Sequence, residues 1–282
     1  MARYDILHKI EQLDAIADHR EITYLSGFYD FPWDSTRALE LALFRTFAVP
    51  SIGNLLFKTK EFTLRTQKRY DDTDLILAEI LENGYESERA KEAFRRMNKM
   101  HTHYNISNDD MRYVLSTFVL GPYNWVNKFG YRQVTEKERV AAHQLWFEIG
   151  KRMGIKDIPE SFEALEKYSI AYEQQHFAYS EDARSVADAT LDLFLGWYLP
   201  KFTHAWFRPF FYAVMDEHLL NAFQYPKPSV VVVKFVEGIM GIRKRLLRLL
   251  PGRKVPLLRT TRKSVTYPNG YEIKNLGVER IK

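Results

Sequence analysis

The sequence predicts a mainly α, single-domain protein with a basic C-terminal extension. Apolar residues recur at helical spacing through most of the 282 residues, in runs of 12–20 residues separated by short loops. No alternation of strand and helix patterns suggests a parallel sheet, and no internal repeat is present. The chain is also long enough to bury a substantial core.

Residues 4–18 read as an amphipathic helix through Ile6, Leu7, Ile10, Leu13 and Ile16. Phe31-Pro32-Trp33-Asp34 begins a further helix, with Asp34 or Ser35 available as N-cap, and that helix stops before Pro50. SIGNLLFKTK adds another helix and leads to residues 66–104, the most informative stretch. Two helices are expected there, joined at Gly84, since Asn83-Gly84 closes the run Leu75, Ile76, Leu77, Ile80, Leu81. Arg69, Asp72 and Thr73 share a face of the first, at i, i+3 and i+4. The second carries Phe94, Met97, Met100 and His101 towards its end. A short joint would bring Arg69 and Thr73 close to the Met97–His101 turn, forming either a cofactor slot or a helical hairpin with one core histidine.

Further along, Pro122 is placed to kink or divide the helix after Ser107. Thr135 and Glu138 form a capping box for the next helix. Helices are then expected from Pro159 to His176, from Glu181 to Tyr198 and over 203–223. Residues 227–282 carry 14 Lys and Arg against 3 Asp and Glu, whereas the first 226 residues are acidic. The division expected is thus a helical domain over 1–226 and a basic extension over 227–282, packed on the domain or on a membrane surface. Within it, SVVVVKFVEGIMGIRKRLLRLL is a cationic amphipathic helix whose β-branched start also suits a strand, and SVTYPNGYEIKNLG reads as a small hairpin or extended lid.

Composition removes several chemistries. With no cysteine, disulfides, iron–sulfur clusters, thiolate-ligated or covalently attached haem and cysteine nucleophiles are excluded. No Ser-based elbow, phosphate loop or dinucleotide fingerprint occurs. The N-terminus has neither signal-peptide nor anchor character, and no run of eighteen apolar residues is present. A cytoplasmic protein is the expectation. The basic helix suits an anionic membrane face better than nucleic acid, because its arginines accompany Leu246, Leu247, Leu249 and Leu250. Packing back onto the domain is equally compatible with it.

Three metal readings compete. A haem needs a neutral imidazole for iron, an apolar slot for the ring, and cationic or hydroxyl donors for its propionates. His101, the Met-rich turn and the Arg69–Thr73 face supply those types, and the plentiful aromatics (17 Tyr, 19 Phe, 5 Trp) suit a large apolar guest as well as ordinary packing. His103 lies about 200° around the helix from His101, so the two do not form a joint metal pair. A di-iron bundle would use Glu173-x-x-His176 but requires a second such unit; otherwise the two residues read as a solvated helix end. A magnesium-dependent all-α isoprenoid enzyme would use Asp71-Asp72 and Asp188-x-x-x-Asp192, though Asp71-Asp72 also reads as a charge cluster near a helix N-terminus.

The chain resembles the MpaB/rubber-oxygenase catalytic domain family, which includes the latex-clearing proteins. The resemblance is carried by FRTFAVPSIGNLL (44–56), RYDDTDLILAEILENG (69–84), RRMNKMH (95–101), NDDMRYVLSTFV (108–119), DLFLGWYLP (192–200) and TYPNGYEI (266–273), in that order. It implies a globin-like helical core holding haem b, with His101 as the proximal iron ligand and Met97 beside it. Arg69 and Thr73 match the family's Arg-x-x-x-Thr pair in the haem pocket, where they would serve binding and catalysis. Asp72 stands where the rubber oxygenases have a distal lysine. Asn105, Ile106 and Leu115 depart from the latex-clearing pattern, which points to the MpaB-like branch. The implied activity is dioxygen-dependent cleavage or oxygenation of an apolar, unsaturated, isoprenoid-like substrate. Aromatics of 44–57 and 118–129 are expected to line its channel. A non-enzymatic haem-binding protein is the alternative.

Overall fold

A computed structural model describes residues 1–278. Among them there is no strand, and fourteen α-helices form one all-α domain. The N-terminal region is shorter in helix than its periodicity predicts: α1 spans Asp5–Glu11 and α2 His19–Leu25. Between them the Asp14 carboxylate accepts from the backbone N–H groups of Ile16 and Ala17, at 2.9 and 2.7 Å. A side chain that satisfies backbone donors in this way favours a turn over a continuous helix.

A π-helical turn at Ser26–Asp30 leads into α3 (Pro32–Thr46), followed by α4 (Pro50–Thr59) and the single turn α5 (Glu61–Leu64). α3 begins earlier than expected because Pro32 occupies its first position, where a missing N–H costs nothing. Asp34 is therefore inside the first turn rather than the cap, buried and ion-paired to Arg243 at 2.8 Å. At Gly53 of α4 a Cβ would lie 2.6 Å from the Phe47 carbonyl oxygen and against Ala183, so only glycine allows this close a helix approach.

The expected hairpin is present. α6 (Thr66–Asn83) ends at Gly84, whose φ of +76° an L side chain rarely adopts, and α7 (Glu88–His101) begins at Ser87, which accepts from the Ala90 N–H at 3.1 Å. α8 (Asn108–Phe129) runs through Pro122 undivided. α9 (Glu136–Arg152) carries the Thr135–Glu138 capping box. Then come α10 (Phe162–His176), α11 (Glu181–Gly196), α12 (His204–Tyr212), α13 (Glu217–Ala222) and α14 (Val230–Leu249). α14 is helical throughout, including its valine run, and none of its residues is buried.

Two apolar clusters make up most of the core. One joins α6 to α10 around Leu75, Ile80, Leu115 and Ile149. The other joins α3, α4 and α5 to α11–α13 around Phe44, Phe47, Phe62 and Leu219. The described residues after α14 form no hairpin. They run back over α6 and α7, turn at Ile273–Asn275, and place Ile273 and Leu276 in the first cluster.

That return path explains Asp71 and Asp72, which are not a helix-terminal charge cluster. Both are buried in the second turn of α6. Asp71 accepts from the Thr266 hydroxyl at 2.6 Å and pairs with Arg259 at 3.1 Å. Asp72 pairs with Lys68 at 2.9 Å and accepts from Tyr267. Buried carboxylates persist only when partnered, and here the C-terminal segment brings most of the partners.

No single described helix is long and apolar enough to cross a membrane; α3 and α4 pass the test of length and composition only as a pair, bent by 97°.

Candidate functional site

Arg69, Thr73, Met97 and His101 all line one cavity of about 250 Å³ between α6, α7, α8 and α4. The spacing on α6 places Arg69 one turn below Thr73. The Arg69 guanidinium donates to the Thr73 hydroxyl, which itself donates to the Arg69 carbonyl at 3.0 Å. Among the described residues the guanidinium has no carboxylate partner; it sits 5.0 Å from the centre of the Phe62 ring. Burial lowers its pKa, partly offset by the nearby charges of Asp72 and Glu61. A guanidinium held this way has hydrogen-bonding capacity left for an anionic guest.

His101 faces this cation from the last turn of α7. Its buried Nδ1 has no hydrogen-bond partner among the described residues. Desolvation, reinforced by the positive charge of Arg69, depresses its pKa from 6.5 to about 4. The ring is therefore neutral at ordinary pH, with a lone pair free of any protein donor. His103 points elsewhere, with Nδ1 bonded to the Lys99 carbonyl at 2.6 Å on the surface. His143 is engaged by the Pro159 carbonyl at 2.9 Å, and His176 stacks on Tyr172 at 4.2 Å; neither lines this cavity.

Much of the remaining lining is apolar and thioether-rich. Leu55, Leu56, Met100, Met111 and Val114 contribute, and Asn105, Ile106 and Leu115 occupy the positions singled out above. The carboxylates that also line it, Glu61, Asp72 and Asp110, are engaged by Arg65, by Lys68, and by Ser51 and Tyr172 respectively. The expectation for the aromatics needs correction. Phe44 and Phe47 are wholly buried in the second core cluster, and Leu43, Thr46 and Leu56 of the same stretch face the cavity instead. Phe118 does line it.

The other acidic motifs are engaged. Glu173 is not a solvated helix end: it is buried, receives the Arg45 guanidinium at 2.5 Å and accepts from Tyr113 at 3.0 Å. Asp188 and Asp192 pair with Arg208 at 2.7 and 2.8 Å. With Asp71 and Asp72 bound to the tail, these four aspartates already serve protein cations.

A second cavity of about 220 Å³ shares Leu43, Thr73, Leu77 and Phe118 with the first. Glu40 lies in its wall, accepting from the Tyr70 hydroxyl and from Arg37, each at 2.6 Å. Burial outweighs these two partners and raises the carboxyl pKa to about 7. The sequence reading missed Glu40. The available signal was one carboxylate amid the apolar run Ala38–Phe44.

The domain is all-α and brings a buried imidazole nitrogen with no partner among the described residues and an Arg–Thr pair into the wall of one cavity. Residues 35–240 match the family model described as ER-bound oxygenase mpaB/B'/rubber oxygenase, catalytic domain, and the chain belongs to that family. It is 31% identical over 214 residues to the ER-bound oxygenase mpaB of Penicillium roqueforti, covering 70% of this chain and 72% of that one. It is 29% identical over 239 residues to the ER-bound oxygenase mpaB' of Penicillium brevicompactum, covering 78% of this chain and 56% of the relative. Against mpaB of the same species identity is 26%, over 78% of this chain and 54% of the relative. The chain thus spans little more than half the length of these two relatives.

Proposed function

We propose that the protein is a haem-b-dependent oxygenase acting on an apolar, unsaturated, isoprenoid-like molecule. The observation that carries this is the buried His101 Nδ1, without a hydrogen-bond partner among the described residues, in the same cavity wall as a guanidinium with no carboxylate partner among them; burial beside that cation favours the neutral imidazole. That set fits haem: one neutral nitrogen for iron, one cation, steadied by the Thr73 hydroxyl, for the charged edge, and apolar side chains for the ring. When bound, the haem would supply the activation of dioxygen.

The protein's part is positional and electrostatic. His101 would hold the iron from the α7 side, with Met97 and Met100 packing as polarisable neighbours. Arg69 presents its remaining N–H donors where negative charge collects, held in place by its bond to the Thr73 hydroxyl, in a site shielded from water, where such donors are most effective. The Phe62 ring beneath Arg69 limits the guanidinium to directions that face the cavity.

The adjoining cavity is suited to the substrate. Thr73 and Leu77 stand in the shared wall, so a chain lying there approaches the guest in the first cavity without displacing it. The polar group of the substrate would meet Arg37, Glu40 and Tyr70. A third cavity of about 150 Å³ continues past Leu39, Leu81 and Phe118 and gives the apolar end room. This second compartment favours an enzyme over a haem carrier. An apolar substrate also suits a cytoplasmic protein working at the periphery of a membrane, and the relatives are described as ER-bound.

Reconstitution with haemin, incubation under dioxygen with a prenylated aromatic or polyprenyl alcohol, and mass spectrometry test the reaction. Carbonyl-terminated fragments or oxygenated product that incorporate label from ¹⁸O₂ are expected. Haem-loaded protein that leaves a panel of unsaturated substrates intact would favour the carrier instead.

A further inference from the structure

The most unusual surface lies on the far side of α14. Val231, Phe235, Ile242, Leu246 and Leu249 recur at i+4, i+7, i+4 and i+3, within about 60° of one another around the helix, and every one is exposed, Leu249 at 84%. The opposite face supplies the contacts to the domain: Leu247 packs beside Phe31 and Tyr131, and Arg243 reaches Asp34 at 2.8 Å and the Trp33 ring at 4.1 Å. α14 is therefore anchored by one side and leaves most of its apolar side uncovered, Phe235 in the stripe meeting a ring of α12.

The neighbouring segment enlarges the patch. Phe202 is 77% exposed and Trp206 70% exposed. α12 is joined to α14 by Phe210, whose ring packs edge-on to Phe235 with centroids 5.7 Å apart. Soluble proteins seldom leave so many large apolar side chains together without a partner.

Charge indicates which partner. Lys234 and Arg245 project just beside the apolar stripe, and Arg253 and Lys254 follow the end of the helix. Among the described residues none of these four has an acidic partner, and Glu237 is the single acid of α14. An apolar strip bordered by unpaired cations matches a bilayer surface, with acyl chains below and anionic headgroups at the rim. A second copy would set the same cations against each other.

We infer that the α12–α14 face docks the protein on an anionic bilayer, with Trp206 and the Val231–Leu249 stripe inserted at the headgroup level. This deepens the membrane-peripheral part of the proposed function and does not depend on haem. The placement also has a consequence for access. Trp33 under Arg243, and Arg37, which donates to Tyr198 at 3.4 Å, adjoin this face, while Pro32, Thr36 and Arg37 line the second cavity. A lipid-soluble molecule would leave the bilayer next to the compartment assigned to substrate.

The test is flotation of the full chain with vesicles of phosphatidylcholine alone or mixed with phosphatidylserine. Binding to the mixed vesicles, weakened by salt, is expected. Lys234→Gln with Arg245→Gln should weaken partitioning about thirtyfold, from the usual contribution of each surface cation. Trp206→Ser with Leu249→Ser should also release the protein at an unchanged melting temperature, both side chains being exposed. Absence of flotation, equal binding to neutral vesicles, or binding unaffected by both variant pairs would overturn the inference. So would a wild-type dimer by light scattering that becomes monomeric in Trp206→Ser with Leu249→Ser and never floats. Haemin titration of the same variants separates the two proposals, because loss of docking should leave haem uptake unchanged.

Discussion

Replacing Glu40 by glutamine tests how far the wall of the second compartment shields this carboxyl from water. Glu40 is 8% exposed, and burial lifts its carboxyl from 4.5 to about 7 despite Arg37 and the Tyr70 hydroxyl. Between those two values the folded chain holds a proton that the unfolded chain releases. The site's contribution is therefore present in full below the unfolded pKa and is lost as pH rises through 7. At about 1.4 kcal/mol per pKa unit, the loss amounts to roughly 3 kcal/mol. A glutamine in this place keeps an acceptor for Tyr70 and does not titrate. Urea unfolding of both proteins at about pH 5 and about pH 8 isolates the site, since all other groups contribute equally to each. The wild type should lose roughly 2.5 kcal/mol more than Glu40→Gln across that interval, slightly less than the whole because pH 5 already lies above the unfolded pKa. Equal losses in the two proteins would mean that Glu40 is ionised throughout and that the wall does not shield it from water.

Three other substitutions probe separate parts of the structure. Arg69→Ala removes the cation facing His101 and should weaken haemin affinity by roughly tenfold or more, from the usual strength of a charge-assisted hydrogen bond, as read by haem transfer to apomyoglobin; unchanged transfer would remove Arg69 from the site. Gly53→Ala would force α4 away from the Phe47 carbonyl and Ala183, with an expected cost of about 1–3 kcal/mol in chemical denaturation. Asp71→Ala takes from Thr266 its partner on α6 and from Arg259 one of two carboxylates there, leaving Asp74, so the C-terminal segment should be cut faster by trypsin at Arg262 and Lys263, while proteolysis at the wild-type rate would show that the remaining contacts suffice to hold it.

The parts of the fold set by local chemistry were legible in the sequence. Gly84 after Asn83, the Thr135–Glu138 box and the 3.6-residue period place α6, α7 and α9 to within a few residues. The i, i+4 spacing of Arg69 and Thr73, with a short joint to His101, foretells that these side chains meet in one cavity. What remained hidden depends on distant partners. Asp71 and Asp72 resemble a helix-terminal cluster until residues almost two hundred positions later fold over them. Phe44 and Phe47 carry the same local pattern as a channel lining, yet α11–α13 cover them. Conversely, α14 has the periodicity of a packed amphipathic helix, and only the tertiary structure shows its apolar side turned outwards.

The most direct test of a haem held through His101 is the visible spectrum of the purified protein after haemin titration, wild type beside His101→Ala. A saturable Soret band in the wild type that is abolished or strongly shifted in His101→Ala is the expected result. A wild type that takes up no haemin, or a band identical in both proteins, would contradict it.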